Sequence, residues 1–367
     1  MKVLHAASLL RPLPGIASQM TMEQLAAQAS GISWQSRLVT PSGWAQETDV
    51  VKLIQINSKR ADRLGKMLAW FMFNLTFMCW LKTQEKSFDV VLLRYSLHDP
   101  FQWLFILWSK KPVLLVHHTL ELPELARQGS FSGKLRAMLD GIFGFLSIRA
   151  SSGVVGVTKE ICHYEIQRAR QPAVPYYVYP NGIDFNTKYV ADKRGDIPEF
   201  LFVASYFYDW HGLDILLSKL RDSDAALKLH VVGDISAEDN AVALQDSRVI
   251  LHGLKTEEEI ELIAASCWVG LASFALDRKK MYEACTLKVR EYLKMGLPVC
   301  GGYTEVLPAD FVFYKKLALE IPALLESAFL WRTASRQQVN QVSHAAIDKK
   351  ILLNQLYQQL QLSFSPL

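Results

Sequence analysis

Residues 282–302 read YEACTLKVREYLKMGLPVCGG. A loop carries Glu283, and a short helix is predicted to start near Thr286 with Glu291 about one turn into it. Gly296 ends the helix and Pro298 leads into a strand, as in a glycine C-cap followed by a residue that cannot extend the helix. A helix N-terminus presents free N–H groups and the positive end of its dipole, which suits a diphosphate. A carboxylate one turn into the helix can accept hydrogen bonds from vicinal ribose hydroxyls. A carboxylate in the preceding loop can reach sugar hydroxyls beyond the phosphates. The bland reading is an amphipathic surface helix with a solvated Glu291. Two acids at one spacing are common by chance, but the whole loop–helix–strand string is not.

Working outward, short apolar runs alternate with amphipathic ones. Residues 2–8, 33–40, 88–96, 112–118, 153–158 and 176–182 read as strands, with a helix at 18–30 after a loop holding Pro12, Pro14 and Gly15. A polar stretch, 188–198, reads as a linker. Beyond it 200–205, 227–233, 249–253, 267–273 and 297–302 read as strands, with helices at 213–220, 256–266 and 287–295. Strands separated by helices predict α/β domains with parallel sheets covered on both faces. Ligands in such sheets bind beyond the carboxyl ends of the strands. The Gln-rich tail, 337–362, is helical in pattern.

The chain has 367 residues, half of them hydrophobic and 21% charged, which predicts two globular domains rather than disorder. A net charge of +4 is too small to indicate nucleic acid, but suits anionic substrates or an anionic membrane surface. Cys79, Cys162, Cys267, Cys285 and Cys300 are odd in number and include no CxxC pair, so neither a disulfide framework nor a zinc site is expected and a cytoplasmic setting is simplest. The segment at 65–81, GKMLAWFMFNLTFMCWL, is slightly short of the roughly 20 residues that span a bilayer. With Lys59, Arg60 and Arg63 before it, and Lys110 and Lys111 after the apolar run at 101–108, it reads as a buried helix or a peripheral membrane contact, with a true membrane span as the lesser alternative.

Glu283 and Glu291, with seven residues between them, resemble the E-x7-E signature of retaining GT-B glycosyltransferases, particularly glycosyltransferase family 4. TLKVREYLKMGLPV is similar to that family's P-x-K-x-x-E-Y-L-x-x-G-x-P-V segment, and VYPNGID, LHVVGD and FLFVASYFYDWHGLDILL resemble further segments of it. The resemblance implies a GT-B fold of two doubly wound, Rossmann-like domains facing across a cleft. The expected boundaries are 1–187 for an acceptor-binding domain, 188–345 for a donor-binding domain, and 346–367 for a helix returning to the first domain. It implies that Glu283 binds the donor sugar, Glu291 the ribose, and Lys288 with the backbone at Thr286 and Leu287 the phosphates. Gly253 allows a close backbone approach beside the base. His211 stands where the family has Lys, and an Arg expected near Ser205 is absent. His is a weaker phosphate ligand unless protonated, so Arg278, Lys279 and Lys280 become candidate supporting cations.

On the other half, LLVHHTLEL makes His118 a candidate catalytic residue and His117 an acceptor-side candidate. Arg94 at another strand end could pair an acceptor phosphate, and Gly15 matches part of the family's Gly-Gly turn near the donor. The expected activity is transfer of a sugar from a nucleotide diphosphate sugar to a glycan or polyprenyl-diphosphate-linked acceptor, in bacterial surface polysaccharide biosynthesis. No cofactor or metal is expected. Two alternatives stand beside it: a nucleotide-sugar epimerase, and a non-catalytic GT-B binding or scaffold subunit.

Overall fold

The computed structural model describes residues 1–11, 14–43, 45–55, 63–126, 131–185 and 188–364. Pro12, Lys59, Arg60 and the expected boundary at residue 187 lie outside the described residues. The chain forms two compact units, one of residues 1–180 with 349–367 and the other of residues 181–348.

In the first unit β1 (Val3–Ser8), β2 (Trp34–Pro41), β3 (Val51–Ile54), β4 (Val90–Arg94), β5 (Val113–His117), β6 (Gly153–Gly156) and β7 (Tyr176–Val178) form one parallel sheet. The order is β3-β2-β1-β4-β5-β6-β7, so the winding reverses between β1 and β4. Alternate residues of each strand feed opposite cores, as a two-residue side-chain period requires. Leu4, Val91, Leu93 and Leu115 face one way, and Val3, Val90, Leu92 and Leu114 the other. The first core is covered by α2 (Arg63–Gln84) and α3 (Pro100–Trp108) through Phe73, Phe77, Leu81 and Phe105. The helices α5 (Phe131–Ala150) and α6 (Lys159–Arg168) add Ile148, Cys162 and Ile166 to this face, and α4 (Glu121–Ala126) packs on α5. The second core is covered by α1 (Pro14–Ser30). That helix starts earlier than the expected residue 18, with proline in its first turn, where a missing N–H costs nothing.

The second unit repeats the plan. The strands β8 (Glu199–Tyr206), β9 (Lys228–Asp234), β10 (Val249–Gly253), β11 (Val269–Leu271), β13 (Val299–Gly301) and β15 (Tyr314–Lys316) form a parallel sheet ordered β10-β9-β8-β11-β13-β15. A separate two-strand ladder joins β12 (Glu283–Ala284) to β14 (Thr304–Glu305). Its helices are α7 (Leu213–Arg221), α8 (Ala237–Ala243), α9 (Glu257–Ala264), α10 (Leu287–Met295), α11 (Ile321–Leu330) and α12 (Arg336–Ile347). The final helix, α13 (Lys349–Phe364), places Leu352, Leu353, Leu356 and Leu360 in the second core of the first unit.

The tail expected as one helix over 337–362 is therefore two helices. Asp348 between them is extended (φ −69°, ψ 120°), and its carboxylate accepts from His344 Nε2 at 3.1 Å. Aspartate competes for local hydrogen bonds and is a poor helix interior residue, so the chain breaks there.

Candidate active site

The winding of the second sheet reverses between β8 and β11, the place where open α/β sheets leave a crevice beyond their carboxyl ends. The loop after β8 closes in a short 3-10 turn, Asp209–His211, tied to the loop after β11 by Phe274 N–H to His211 O at 2.9 Å. Next to it β12 carries Glu283, which is half-buried. α10 begins at Leu287 and ends at Gly296 in the left-handed region (φ 85°). There Leu297 N–H reaches Tyr292 O at 2.8 Å, which confirms the glycine C-cap.

Thr286 is the N-cap residue of α10, yet its hydroxyl makes no capping bond. It turns sideways to Tyr303 Oη at 2.9 Å. No cap side chain therefore blocks the N–H groups of the first turn of α10. One residue into the helix, Lys288 Nζ is buried with no hydrogen-bond partner among the described residues, 5.5 Å from the centroid of Phe202. Burial lowers its pKa to about 8, against a small upward pull from Glu291. An unpaired buried ammonium beside an open helix N-terminus is a built anion site. Glu291 stays open to solvent, and partial desolvation followed by Glu257 raises its carboxyl pKa. Glu257 lies in the first turn of α9, whose N-cap Thr256 forms a capping box: Glu259 N–H donates to Thr256 Oγ1 at 3.3 Å and Thr256 N–H to Glu259 Oε2 at 2.9 Å. At the end of β10, Gly253 adopts φ +66°; a Cβ there meets nothing within 4 Å, so conformation rather than space calls for glycine.

His211 is neutral. Burial, then Lys288 and Lys279, bring its pKa down to about 3. Its Nδ1 accepts the Tyr208 N–H at 3.0 Å, so the ring proton sits on Nε2 and the free side of the ring is a donor. It thus offers a phosphate one neutral hydrogen bond. Of the candidate supporting cations, Arg278 is taken by Asp214 through two bonds, of 3.0 and 2.8 Å, and Lys279 lies 4.7 Å from the centroid of Trp210.

In the first unit, β4 and β5 are neighbours and set Arg94 beside Val116. His118 follows β5 on the side of Arg94, His5 and Lys349. Burial, then Arg94, hold it well below the usual imidazole pKa, and its Nε2 is buried with no hydrogen-bond partner among the described residues. His117 corrects the expectation of an acceptor contact. It is fully buried, with Nδ1 3.1 Å from Glu121 and 3.8 Å from Glu165, and stacks on Tyr95. Burial works against its charge, but Glu165 and Glu121 outweigh that and raise its pKa. Arg168 ties Glu165 (2.8 Å) to Asp140 (2.7 Å), and Tyr95 Oη donates to Asp140 at 2.6 Å. His117 is the end of this ion-pair chain and faces no solvent. Gly15, expected in a turn before the first helix, lies instead in the first turn of α1, and a Cβ there meets nothing within 4 Å.

Sequence reasoning missed three groups. Glu23 accepts from Trp34, Ser36 and Tyr179, pairs with His5 at 2.7 Å, and lies 3.9 Å from Lys349. Glu305 and Arg290 form a fully buried pair at 2.5 Å beneath the Glu283 loop. Glu199, His230 and Cys267 gather ligand-type atoms at the other end of the sheet, but Lys228 (2.9 Å) and His230 (3.0 Å) already occupy the Glu199 oxygens. No periodicity marks any of these residues in the sequence.

No protein-family model matches the chain, and no curated protein matches it in sequence. Solved structures share its fold over nearly the whole length. The apo form of the lipopolysaccharide outer core galactosyltransferase WaaB superposes with a TM-score of 0.65 at 14% identity, covering 99% of each chain. HepE of Anabaena, in complex with UDP and glucose, gives 0.60 at 14% identity over 98% of this chain and 99% of that one. A putative UDP-N-acetylglucosamine 2-epimerase from Listeria monocytogenes gives 0.55 at 11% identity over 99% and 97%. The chain has the GT-B fold of two parallel-sheet domains.

Proposed function

We propose that this protein is a retaining glycosyltransferase whose second unit binds a nucleotide diphosphate sugar. The observation that carries this is the orphaned Lys288 ammonium beside the unblocked N-terminus of α10, with Glu283 before the helix and Glu291 within it. The diphosphate would pair with Lys288, the N–H groups of α10 and the Nε2–H of His211. Glu291 would take the ribose hydroxyls and Glu283 the sugar. HepE, of the same fold, has been crystallised with UDP-glucose. In a front-face transfer the bond from the anomeric carbon to the diphosphate breaks while the acceptor oxygen bonds the same carbon. The acceptor proton passes to the departing diphosphate. Such a step needs positioning and positive charge more than a nucleophile.

The acceptor is a glycan or lipid-linked glycan in bacterial surface polysaccharide assembly, reached from an anionic membrane surface. Its support is the outer face of the first unit. Among the described residues one helix, at 64–87, is long and apolar enough to cross a membrane. Its later half is core, through Phe73, Phe77 and Leu81, while Met67, Leu68 and Phe71 are exposed. The adjacent α3 and α5 expose Leu107, Trp108, Met138 and Ile142, and Lys66, Lys134 and Arg136 are exposed among them. Apolar side chains with basic neighbours suit an interfacial contact.

The test is nucleotide titration of two variants. Glu291→Ala weakens nucleoside diphosphate binding, and Glu283→Ala cuts transfer more than nucleotide affinity. Equal nucleotide affinity in wild type and Glu291→Ala removes the assignment. A second reading, a nucleotide-sugar-binding scaffold without transfer activity, is favoured by the neutral His211 and the absent arginine. Binding without turnover across a screen of donors and acceptors would select it.

A further inference from the structure

We propose that Arg290, Glu305 and Asn181 are positioning residues that hold the Glu283–Thr286 segment in its sugar-binding shape. This rests on the donor-site reading above. Arg290 is fully buried and spends every arm locally: on Glu305 Oε1 at 2.5 Å, Asn181 O at 3.1 Å and Val306 O at 2.8 Å. The second oxygen of Glu305 accepts from Tyr303 Oη at 2.9 Å and, at 3.4 Å each, from the N–H and hydroxyl of Thr286. The β12–β14 ladder sets Glu283 against Thr304 and Ala284 against Glu305. From the other side, the Asn181 amide donates to Cys285 O at 2.7 Å and its backbone N–H to Cys285 Sγ at 2.9 Å.

Each residue from 283 to 286 is thus fixed from a different direction: the ladder for Glu283 and Ala284, Asn181 for Cys285, and Glu305 for Thr286. The sideways pull on Thr286 is also what leaves the α10 N-terminus uncapped. A buried ion pair of this kind adds little stability over an apolar pair of the same size. What it supplies is direction, because a carboxylate with donors on both oxygens, Arg290 and the Val306 N–H on one and Tyr303 and Thr286 on the other, has one orientation. The arrangement also accounts for the Asn of the PNGID segment, whose amide binds the loop next to Glu283.

Glu305→Gln and Asn181→Ala are compared with wild type in the full-length protein. Affinities for UDP, ADP and GDP and for their glucose conjugates are measured by calorimetry, with melting temperatures alongside. Arg336→Met is the control, because Arg336 is another buried arginine of the same unit whose bonds go to carbonyls of Ala264, Ala265 and Gly296. The expected result is a loss of about tenfold or more in affinity for the nucleotide sugar relative to its free nucleotide in both loop variants. The control lowers the melting temperature and leaves that ratio unchanged. A wild-type ratio in the loop variants overturns the inference, whether or not they melt lower; should Glu305→Gln fail to fold, Asn181→Ala carries the same readout. Wild-type protein that binds none of the probes overturns the donor reading and this inference with it.

Discussion

Replacing Lys288 by methionine separates stability from binding. The ammonium is buried against Phe202 without a partner among the described residues, and its pKa falls from 10.5 to about 8. Each pKa unit is about 1.4 kcal/mol, so keeping this group charged at pH 7 costs the empty fold on the order of 3 kcal/mol. Methionine keeps most of the volume and removes that cost. With partial relaxation, a gain of about 1–3 kcal/mol corresponds to a rise of several degrees in melting temperature for a unit of this size. The pH dependence has a definite sign. Between pH 8 and 10.5 the unfolded chain holds a proton on this lysine that the folded chain lacks, so wild-type stability rises with pH there and the variant's advantage closes. Binding moves the other way: losing one charge-assisted contact costs about 1.5–3 kcal/mol, or roughly ten- to a hundredfold in nucleotide affinity. Wild-type affinity should also fall as pH rises through about 8, where Lys288 loses its proton. Scanning fluorimetry from pH 7 to 10, with and without UDP, ADP and GDP, reads both quantities. A variant that melts below wild type when empty, or binds nucleotide equally well, refutes the reasoning.

Further outcomes follow from the same geometry. His211→Ala should weaken nucleotide binding by about 0.5–1.5 kcal/mol, the value of a neutral hydrogen bond, and the loss should not vary between pH 5 and 7 because His211 is neutral throughout; calorimetry at both pH values checks it. His118→Ala should lower transfer while leaving the affinity of free UDP within error, since His118 lies in the first unit and the proposed nucleotide contacts in the second; equal losses in both would remove its catalytic role. Flotation with anionic vesicles should carry wild-type protein upward and leave a Phe71→Ser, Leu107→Ser double variant behind; flotation of neither counts against the membrane contact.

The apolar strand runs and the helix ending at Gly296 were legible because their cause is local: a buried parallel strand is apolar throughout, and a left-handed C-cap favours glycine. Among the proposed donor residues, Thr286, Lys288 and Glu291 share one helix, and Glu283 lies just before it, so their spacing alone brings them together. The β12–β14 ladder was not legible, since two residues pairing across twenty carry no period. The Arg290–Glu305 pair and the His117–Glu165–Arg168 chain were hidden for the same reason: each is made by long-range packing, and a buried charge looks like a surface charge in a string of letters. His117 and His118 show the limit most sharply. Adjacent residues at a strand end face opposite sides, one into an ion-pair chain and one toward Arg94, and only the register decides which.

The chain leaves the first unit at Pro180 and re-enters it at Lys349, and the ends of the intervening piece meet, with Ile183 N–H bonded to Ile347 O at 2.9 Å. Residues 181–348 are therefore topologically a guest within a host. A guest whose two ends touch can be excised as a fragment or spliced out with a short bridge, whereas trimming the last twenty residues, which look like a dispensable tail, would strip a wall from the host's interior.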